Sequence, residues 1–467
     1  MYIQQLYTKC LSEAAYYIEN DGEAAIIDPL RDIDDYIKLA SSRNAKIKYI
    51  FETHFHADFV SGHIDLSKET GAPIVFGPNA KTKYKVHNAT DGEVFKLGSI
   101  TIELIHTPGH TLESSCYILK DINDKPYAIF TGDTLFVGDV GRPDLSSGGF
   151  SSGEMAGIMY DTLRNKIIPL PNDVIVYPAH GPGSSCGKNM GPETFSTIGK
   201  EKENNYALQD QTKEEFIKSV TNGLLDAPKY FALNAKFNME GYNELKTIKS
   251  QGLTPLSIKD FKKAIEEDVV ILDTRDVQKF TQGFIPKSIF IGLDGRFAEW
   301  AAMILPFDKR IIMVTEAGKE EETLIRLTRV GFDKIVGYLK GGFEEWKNNG
   351  EKLDMIVDVE ADELLMDIPF DPNLTILDVR KETEFASGHL QNALNIPVEQ
   401  LTDITIVAQF EDDQNLYIHC AGGYRSVIAA TLLKKEGINN LRNVLGGWAK
   451  IKEEEKVKIV KEPSVLN

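Results

Sequence analysis

The sequence predicts a multidomain α/β protein, and three observations lead to that prediction. A chain of 467 residues with 42% hydrophobic content is long enough for more than one buried core. The first half alternates β-branched apolar runs with stretches of helical spacing. The second half contains an internal repeat at a constant offset of 105 residues, which carries Asp273 and Arg275 onto Asp378 and Arg380. Each copy of the repeat reads as a small α/β unit with a mainly parallel sheet.

The first half places polar side chains at the ends of apolar strands. The segment IKYIFETH is predicted to be a buried strand that follows a helical stretch, RDIDDYIKLASSRN. The same arrangement recurs in IELIHTPGH, YAIFTGD and VIVYPAHG, where each apolar run stops at Gly, Pro, His or Asp. Four strand ends can therefore converge on one site.

The residues at these strand ends are of the types that bind metals. They are His54, His56 and Asp58 in ETHFHADFVSGH, His110 in TPGHT, Asp133 in FTGDT and His180 in PAHG. Imidazole and carboxylate are the usual non-sulfur ligands of zinc and iron. A single histidine is more often an ordinary loop residue. It is the complete ordered set that indicates a metal site.

This set resembles the metallo-β-lactamase superfamily from GEAAIIDP to PAHG, which implies a four-layer αββα sandwich. Within the superfamily, ETHFHADFVSGH, CLSEAAYYI and FTGDTLFVGDVGRPDL resemble the persulfide dioxygenases. That resemblance implies one Fe(II) per chain, bound by His54, His110 and Asp133, with open coordination positions for the persulfide and dioxygen. In hydrolases such as glyoxalase II, a histidine follows the motif aspartate and binds a second metal. Phe59 cannot coordinate a metal, so a second complete site is not expected.

Four further residues are expected near this centre. His56, Asp58 and His180 are interpreted as groups that orient the ligands or face the substrate. Arg142 in GRPDL either binds a carboxylate of the thiol carrier or forms a structural pair with Asp144 in a turn. The sequence leaves both alternatives for Arg142 open.

The segment NLYIHCAGGYRSVIAATLLKKEG predicts an anion-binding loop around Cys420. The cysteine follows an apolar strand and precedes a glycine-containing loop, Arg425 and a helix that begins near Ser426. Backbone N–H groups and a helix N-terminus lower the pKa of a thiol, and Arg425 adds positive charge. The alternative is a buried, unreactive cysteine.

The segment from LDVRKETEFASGHLQNALNIP to LGGW resembles the rhodanese sulfurtransferases. The resemblance makes Cys420 the nucleophile and Arg425 its catalytic partner, with a persulfide cradle formed by Ala421, Gly422, Gly423, Tyr424 and Ser426. The family's structural signature falls on Asp378, Arg380, Glu384 and His389, which are interpreted as scaffold.

The first copy of the repeat departs from this pattern. At the same offset, the cysteine position falls on Thr315, and Arg425 and Ser426 fall on Glu320 and Glu321. That copy is predicted to be catalytically inactive, and its role is left open as a spacer or dimer contact.

Cys186 in AHGPGSSCGKN lies six residues after His180. It is either a sulfur relay or a bystander that lines the pocket.

The predicted domains are residues 1–245 for the dioxygenase, 253–352 for the inactive rhodanese copy and 357–460 for the active copy. Together they predict a sulfide-detoxifying enzyme that oxidises a low-molecular-weight thiol persulfide to sulfite and transfers sulfur to give thiosulfate. The alternative is a glyoxalase II-like zinc thioester hydrolase fused to rhodanese domains. The carrier thiol and the route of sulfur between the domains are not identified.

Composition bounds the partners and the location. A formal net charge of −18 disfavours nucleic acid. The chain also shows no secretory signal and no stretch that could span a membrane. Four scattered cysteines do not suggest a disulfide scaffold. We therefore expect a cytoplasmic homo-oligomer whose partners are a thiol persulfide, dioxygen and sulfite.

Overall fold

A computed structural model of the chain describes residues 1–145, 149–224, 226–411, 413–455 and 457–463. The chain divides into two compact units. The first unit comprises residues 1–247 together with 325–333, and the second comprises residues 248–324 together with the chain from 334 onward. Among the described residues, no helix combines the length and apolar character that crossing a membrane requires.

The first unit contains two six-stranded mixed sheets. The first sheet has the order β1-β2-β3-β4-β5-β6, with β1 Tyr2–Thr8, β2 Glu13–Asn20, β3 Glu23–Ile27, β4 Lys46–Phe51, β5 Ile74–Phe76 and β6 His87–Asn88. The second has the order β12-β11-β10-β9-β8-β7, with β7 Val94–Leu97, β8 Ile100–His106, β9 Ser115–Lys120, β10 Pro126–Gly132, β11 Ile175–Pro178 and β12 Ser196–Thr197.

Helices cover the outer face of each sheet. They are α1 Asp34–Ser42, α2 His63–Thr70, α3 Ser152–Thr162, α4 Ile198–Asn204, α5 Lys213–Thr221, α6 Phe231–Glu240 and, at the boundary of the two units, α7 Leu245–Gly252. A π-helical turn at Leu163–Ile167 continues α3, and a short 3-10 helix spans Tyr206–Leu208.

Alternation along the strands builds the four layers. In β2, Tyr16 and Ile18 belong to a core shared with Phe130 of the second sheet, whereas Tyr17 faces the other way and packs with Tyr36 of α1. The second sheet is covered in the same way by α3 and α5. Successive side chains of a strand point to opposite faces, so each sheet buries both of its faces. This is the αββα sandwich that the sequence predicts.

The second unit contains two five-stranded parallel sheets. The first has the order β13-β17-β16-β14-β15, and the second has the order β18-β23-β22-β19-β21. The strands of the first are β13 Pro255–Leu256, β14 Val270–Asp273, β15 Ile289–Phe290, β16 Ile311–Val314 and β17 Ile335–Leu339. Those of the second are β18 Val357–Val359, β19 Leu374–Asp378, β21 Leu394–Asn395, β22 Asn415–His419 and β23 Leu441–Val444, and β20 His389–Leu390 pairs separately with β24 Ile459–Val460.

Each copy of the repeat also contains five α-helices among its described residues. Those of the first are α8 Ile258–Glu266, α9 Val277–Thr281, α10 Phe297–Ile304, α11 Glu320–Thr328 and α12 Gly342–Asn348. Those of the second are α13 Ala361–Asp367, α14 Glu382–Ala386, α15 Ile404–Val407, α16 Tyr424–Lys435 and α17 Gly447–Ile451, with a 3-10 helix at Val398–Thr402. The shared strand order agrees with the duplication read from the sequence.

The repeated Asp-x-Arg pair holds the same position in both copies. Arg275 pairs with Asp273 at 2.7 Å, and Arg380 pairs with Asp378 at 2.6 Å. Each guanidinium also donates to the carbonyl of a glycine eight residues later. All four side chains are buried, so these pairs tie a strand end to the following loop rather than contact a substrate.

Candidate active sites

The loops that follow β4, β8 and β10 bring His54, His110 and Asp133 together. The Nε2 atoms of His110 and His54 lie 3.4 Å and 3.8 Å from Asp133 Oδ2. All three side chains are buried, with relative exposures of 2 to 3%. The structure therefore places the three predicted iron ligands around one point.

Neighbouring groups fix the orientation of the two imidazoles. His54 Nδ1 lies 2.9 Å from the hydroxyl of Thr53, and that hydroxyl donates to Asp28. His110 Nδ1 lies 2.8 Å from the carbonyl oxygen of Arg142, to which it donates. Both Nε2 atoms are thus left as acceptors that point toward Asp133. Burial, with smaller contributions from neighbouring histidines, holds the pKa of His54 well below its usual value, so the ring is neutral.

These residues fit a divalent metal ion. Neither carboxylate oxygen of Asp133 has a hydrogen-bond partner anywhere in the described part of the chain, although the side chain is buried. A buried carboxylate without a partner is costly. An ion bound between His54, His110 and Asp133 would remove that cost, and two imidazoles with one carboxylate suit iron or zinc.

Asp58 and His180 lie on the other side of Asp133. His180 Nε2 is 3.5 Å from Asp133 Oδ1 and 3.4 Å from Asp58 Oδ2, while His180 Nδ1 lies 3.2 Å from the carbonyl oxygen of Ser12. Cys186 joins this group, since its sulfur and the ligand atoms of Asp133 and His180 lie within 4.8 Å of one another. The two oxygens of Asp133 therefore face two different sets of side chains.

His56 lies between two groups of buried side chains. One group is Asp58 and His180, whose ligand atoms lie within 4.8 Å of the His56 ring, and the other is Asp28 and Glu52. Its Nε2 lies 3.2 Å from Asp28 Oδ1 and 3.8 Å from Glu52 Oε2. Burial opposes a charged ring, but Asp28 and Glu52 outweigh it and raise the pKa of His56 to about 10. The ring also stacks on Phe59, with centroids 4.3 Å apart. His56 therefore serves as a cation that balances two buried carboxylates.

Asp28, Glu52 and Glu13 were missed by the sequence analysis. Asp28 and Glu52 stand directly after the apolar strands β3 and β4, the same signal that found Asp133. Glu13 gave no such signal because it begins β2 instead of following a strand; its backbone pairs with that of His180. Its carboxyl group is buried without a hydrogen-bond partner among the described residues, and burial raises its pKa well above the usual value.

For Arg142, the structure favours the second alternative. Its Nε and Nη2 donate to the two carboxylate oxygens of Asp144 at 2.8 Å and 2.7 Å, and the side chain is buried. The contribution of Arg142 to the metal centre is its carbonyl oxygen, which orients His110.

The second candidate site surrounds Cys420 at the end of β22. The amide of Gly423 donates to the sulfur at 3.1 Å, and the hydroxyl of Ser426 lies 3.6 Å from it. On the far side, the first turn of α17 closes the loop, because the amide of Trp448 donates to the carbonyl of Cys420 at 2.6 Å. A backbone N–H aimed at a sulfur atom stabilises its thiolate or persulfide form.

Two contacts of this loop were not predicted. Arg425 donates to both carboxylate oxygens of Glu384, at 2.6 Å and 2.8 Å, so Glu384 lies at the cradle rather than in the scaffold. Burial works against this charge and Glu384 outweighs it, so the pKa of Arg425 is raised. The hydroxyl of Tyr424 donates at 2.8 Å to the carbonyl of Gly292, which belongs to the first copy of the repeat.

The first copy has a cavity where the second copy has its cysteine loop. The cavity measures about 420 Å³, and its lining includes Thr315, Glu316, Glu320 and Phe343. A threonine in place of the cysteine supplies no thiol, and glutamates now occupy the rim. The inactivity of the first copy stays a prediction.

Comparison with known proteins identifies one metallo-β-lactamase domain followed by two rhodanese-like domains. The model of the metallo-beta-lactamase superfamily matches residues 8–180, and that of the rhodanese-like domain matches residues 257–349 and 360–454. The crystal structure of a metallo-beta-lactamase from Staphylococcus aureus subsp. aureus COL is 31% identical and covers 73% of this chain and 98% of its own, with a TM-score of 0.64.

Two further relatives resemble the first half of the chain. A probable hydroxyacylglutathione hydrolase of Schizosaccharomyces pombe is 28% identical over 258 residues, which cover 50% of this chain and 91% of that protein. The crystal structure of ETHE1 from Myxococcus xanthus is 28% identical and covers 51% of this chain and 98% of its own, with a TM-score of 0.44.

The chain therefore belongs to the metallo-β-lactamase superfamily. It carries two rhodanese-like domains after the metallo-β-lactamase domain. This combination indicates an enzyme with a metal centre and a sulfurtransferase-type cysteine loop.

Proposed function

We propose that the protein is a non-heme iron persulfide dioxygenase coupled to sulfur transfer. The observation that carries the proposal is the set of His54, His110 and Asp133, two imidazoles and one carboxylate, beside Phe59. An iron ion held by such a set keeps open positions and supplies the activation of dioxygen. The overall reaction converts a thiol persulfide, dioxygen and water into the thiol, sulfite and two protons.

The surrounding residues have defined tasks in this proposal. Thr53 and the carbonyl of Arg142 hold His54 and His110 in the orientation a metal requires. The buried cluster of His56, Asp28 and Glu52 supports the ligand loop without adding another ligand to it. The three ligand side chains are buried, with relative exposures of 2 to 3%.

Cys420 would complete the sequence as a sulfur carrier. Its thiol takes the outer sulfur of a thiol persulfide, which releases the thiol and leaves a cysteine persulfide. Sulfite then attacks that sulfur, giving thiosulfate and the free cysteine. The amide of Gly423 and the hydroxyl of Ser426 surround the sulfur that carries the charge. Cys186 is retained as a possible relay because its sulfur lies at the metal centre.

A thioester hydrolase is the second candidate, and one observation favours it. The Schizosaccharomyces pombe relative is a probable hydroxyacylglutathione hydrolase. In that case a metal-activated water would be the nucleophile, and the cysteine loop would catalyse a separate reaction.

Oxygen uptake separates the two candidates. We expect iron-loaded protein to consume dioxygen with at least one member of a panel of persulfides of glutathione, coenzyme A, bacillithiol and cysteine, and to form sulfite. His110→Ala should abolish oxygen uptake while sulfur transfer by Cys420 continues, because the two sites belong to separate domains. Cleavage of S-lactoylglutathione without any persulfide-dependent oxygen uptake would overturn the proposal in favour of the hydrolase.

A further inference from the structure

The first copy of the repeat has a cavity at the place where the second copy has its cysteine loop. The cavity measures about 420 Å³ and lies at the carboxyl ends of β14, β16 and β17. Ligand pockets typically measure about 300–1,000 Å³, and open parallel sheets bind their ligands at the carboxyl ends of the strands. The size and the position of this cavity therefore suit a small ligand.

A buried hydroxyl at the cavity lacks a hydrogen-bond partner. Thr315, which occupies the position of Cys420 in the second copy, lines the cavity and is 6% exposed. Within the described ranges of the chain, its hydroxyl neither donates nor accepts a hydrogen bond. Polar groups this deeply buried are normally hydrogen-bonded. A ligand in the cavity would supply the missing partner.

The repeat preserves one pair of charged positions but reverses their signs. In the second copy, Arg425 of α16 pairs with Glu384 of α14. The offset of 105 residues places Glu320 of α11 and Lys279 of α9 at these two positions, and both side chains line the cavity. A guanidinium attracts anions, whereas a carboxylate in its place attracts cations. The first copy therefore favours an ammonium group where the second copy favours an anion.

The rim of the cavity also carries charges of both signs that are available to a ligand. Among the residues that the structure describes, no ion pair involves the side chains of Glu320, Glu344 or Lys347. Lys279 pairs with Glu316 at 3.0 Å, but these side chains are 63% and 39% exposed. Exposed pairs contribute little to stability, so a ligand can replace this one.

We propose that the cavity of the first copy binds a small zwitterion, such as an amino acid or a short peptide. Glu320 and Glu344 bind the ammonium group of the ligand, Lys347 binds its carboxylate, and the hydroxyl of Thr315 bonds to its buried part. An anion would meet the two glutamates, and a simple amine would leave Lys347 without a partner. This site goes beyond the proposed function, which uses neither the cavity nor the first copy.

Isothermal titration calorimetry of the full-length protein tests the site. The probes are glycine, glutamine and S-methylglutathione, three zwitterions of increasing size without a thiol that could react with Cys420. We expect at least one of them to bind with a Kd below about 1 mM. Putrescine, which has two ammonium groups and no carboxylate, should bind at least about tenfold more weakly, and so should glutarate, which has two carboxylates and no ammonium group.

Substitutions at the cavity show where the zwitterion binds. Glu320→Gln removes one carboxylate with little change in shape and should weaken binding by about tenfold or more. Thr315→Val removes the buried hydroxyl and should weaken binding by about threefold or more. Glu321→Gln is the matched control, because Glu321 is the next residue of α11 but pairs with Lys249 outside the cavity lining. It should leave binding unchanged.

Four results would overturn the inference. They are the absence of binding by all three zwitterions, unchanged binding in Glu320→Gln, an equal loss in Glu321→Gln, and binding of putrescine or glutarate as tight as that of the best zwitterion. The readout is binding to the first copy, so an iron-loaded protein that fails to consume oxygen would contradict the proposed function and leave this inference standing.

Discussion

At the scale of single residues, Phe59 determines how the motif histidines are used. Its fully buried ring stacks on His56, whose Nε2 lies 3.2 Å from Asp28. An aromatic ring offers no metal ligand, so the ligand atoms of the loop after β4 come from His54, His56 and Asp58. One apolar residue in a polar motif thus packs against the neighbouring imidazole.

Cys420→Ser should stop the formation of thiosulfate without affecting the oxidation of the persulfide to sulfite. A hydroxyl cannot carry a sulfane sulfur, so we expect thiosulfate formation to fall by at least about a hundredfold. Oxygen uptake with a persulfide should be unchanged, and sulfite should accumulate. Ion chromatography of sulfite and thiosulfate measures both. Cys116→Ser, which alters a buried cysteine of β9, controls for general loss of a thiol. Unchanged thiosulfate formation in Cys420→Ser would contradict the role assigned to Cys420.

At the scale of elements, the start of α17 shapes the cysteine loop. The amides of Trp448 and Ala449 donate to the carbonyls of Cys420 and Ala421, at 2.6 Å and 3.0 Å. Gly447, at the first position of the helix, has a φ of +52°, and a Cβ there would lie 2.3 Å from the carbonyl oxygen of Cys420. Only glycine lets the helix approach the loop this closely.

Gly447→Ala should therefore impair sulfur transfer. A non-glycine residue in this conformation costs about 1–2 kcal/mol before the clash is counted. We expect thiosulfate formation to fall by about tenfold or more. Gly422→Ala is the matched control inside the loop, because its φ is ordinary and a Cβ there meets nothing within 4 Å. The comparison is a steady-state sulfurtransferase assay, and equal losses in the two variants would contradict the packing argument.

A second element-scale contact links the two copies of the repeat. The hydroxyl of Tyr424 in α16 donates to the carbonyl of Gly292, and a Cβ on Gly292 would lie 3.4 Å from the ring of Tyr424. Tyr424→Phe removes one hydrogen bond, whose net value is about 0.5–1.5 kcal/mol. We expect sulfur transfer to fall by less than about tenfold, as measured in the same assay. A loss as large as that of Cys420→Ser would mean that Tyr424 acts in the chemistry.

At the scale of the whole molecule, a segment from the first rhodanese-like domain belongs to the first unit. Residues 325–333 lie inside the stretch matched by the rhodanese-like domain model, yet they cluster with residues 1–247. Arg31, which is completely buried, donates to both carboxylate oxygens of Asp333, at 2.6 Å and 3.0 Å. Arg329 forms a similar bidentate pair with Asp32.

Breaking the buried pair should destabilise the first unit strongly. Arg31→Met removes the donor to the carboxylate of Asp333 and to the carbonyl of Asn243, and one of the two donors to the carbonyl of Thr328. Removing one partner of a buried pair costs about 3–5 kcal/mol. Differential scanning calorimetry of the full chain measures the shift.

Arg43→Met is the matched control for that measurement. Arg43 pairs with Glu19 in the same unit, but its side chain is 33% exposed. An exposed pair contributes about 0–1 kcal/mol. Equal shifts in the two variants would contradict the importance assigned to burial.

The sequence by itself determined the domain order, the duplication and most of the polar side chains at the metal centre. Strand ends carry a local signal, so His54, His110, Asp133 and His180 were found from apolar runs that stop at a polar residue. The cysteine loop was equally readable, because Cys420 and its glycines are consecutive in the chain. These features depend on residues that are close together in the chain, so they can be recognised from the sequence alone.

Only the tertiary structure decided which atoms face one another. It turned His56 toward Asp28 and Glu52, paired Arg425 with Glu384, and brought Cys186 next to Asp133 and His180. Each of these contacts joins residues whose side chains meet only after strands and loops have packed. The direction of a side chain depends on that packing and on the balance of buried charges, neither of which is expressed in the local order of residues.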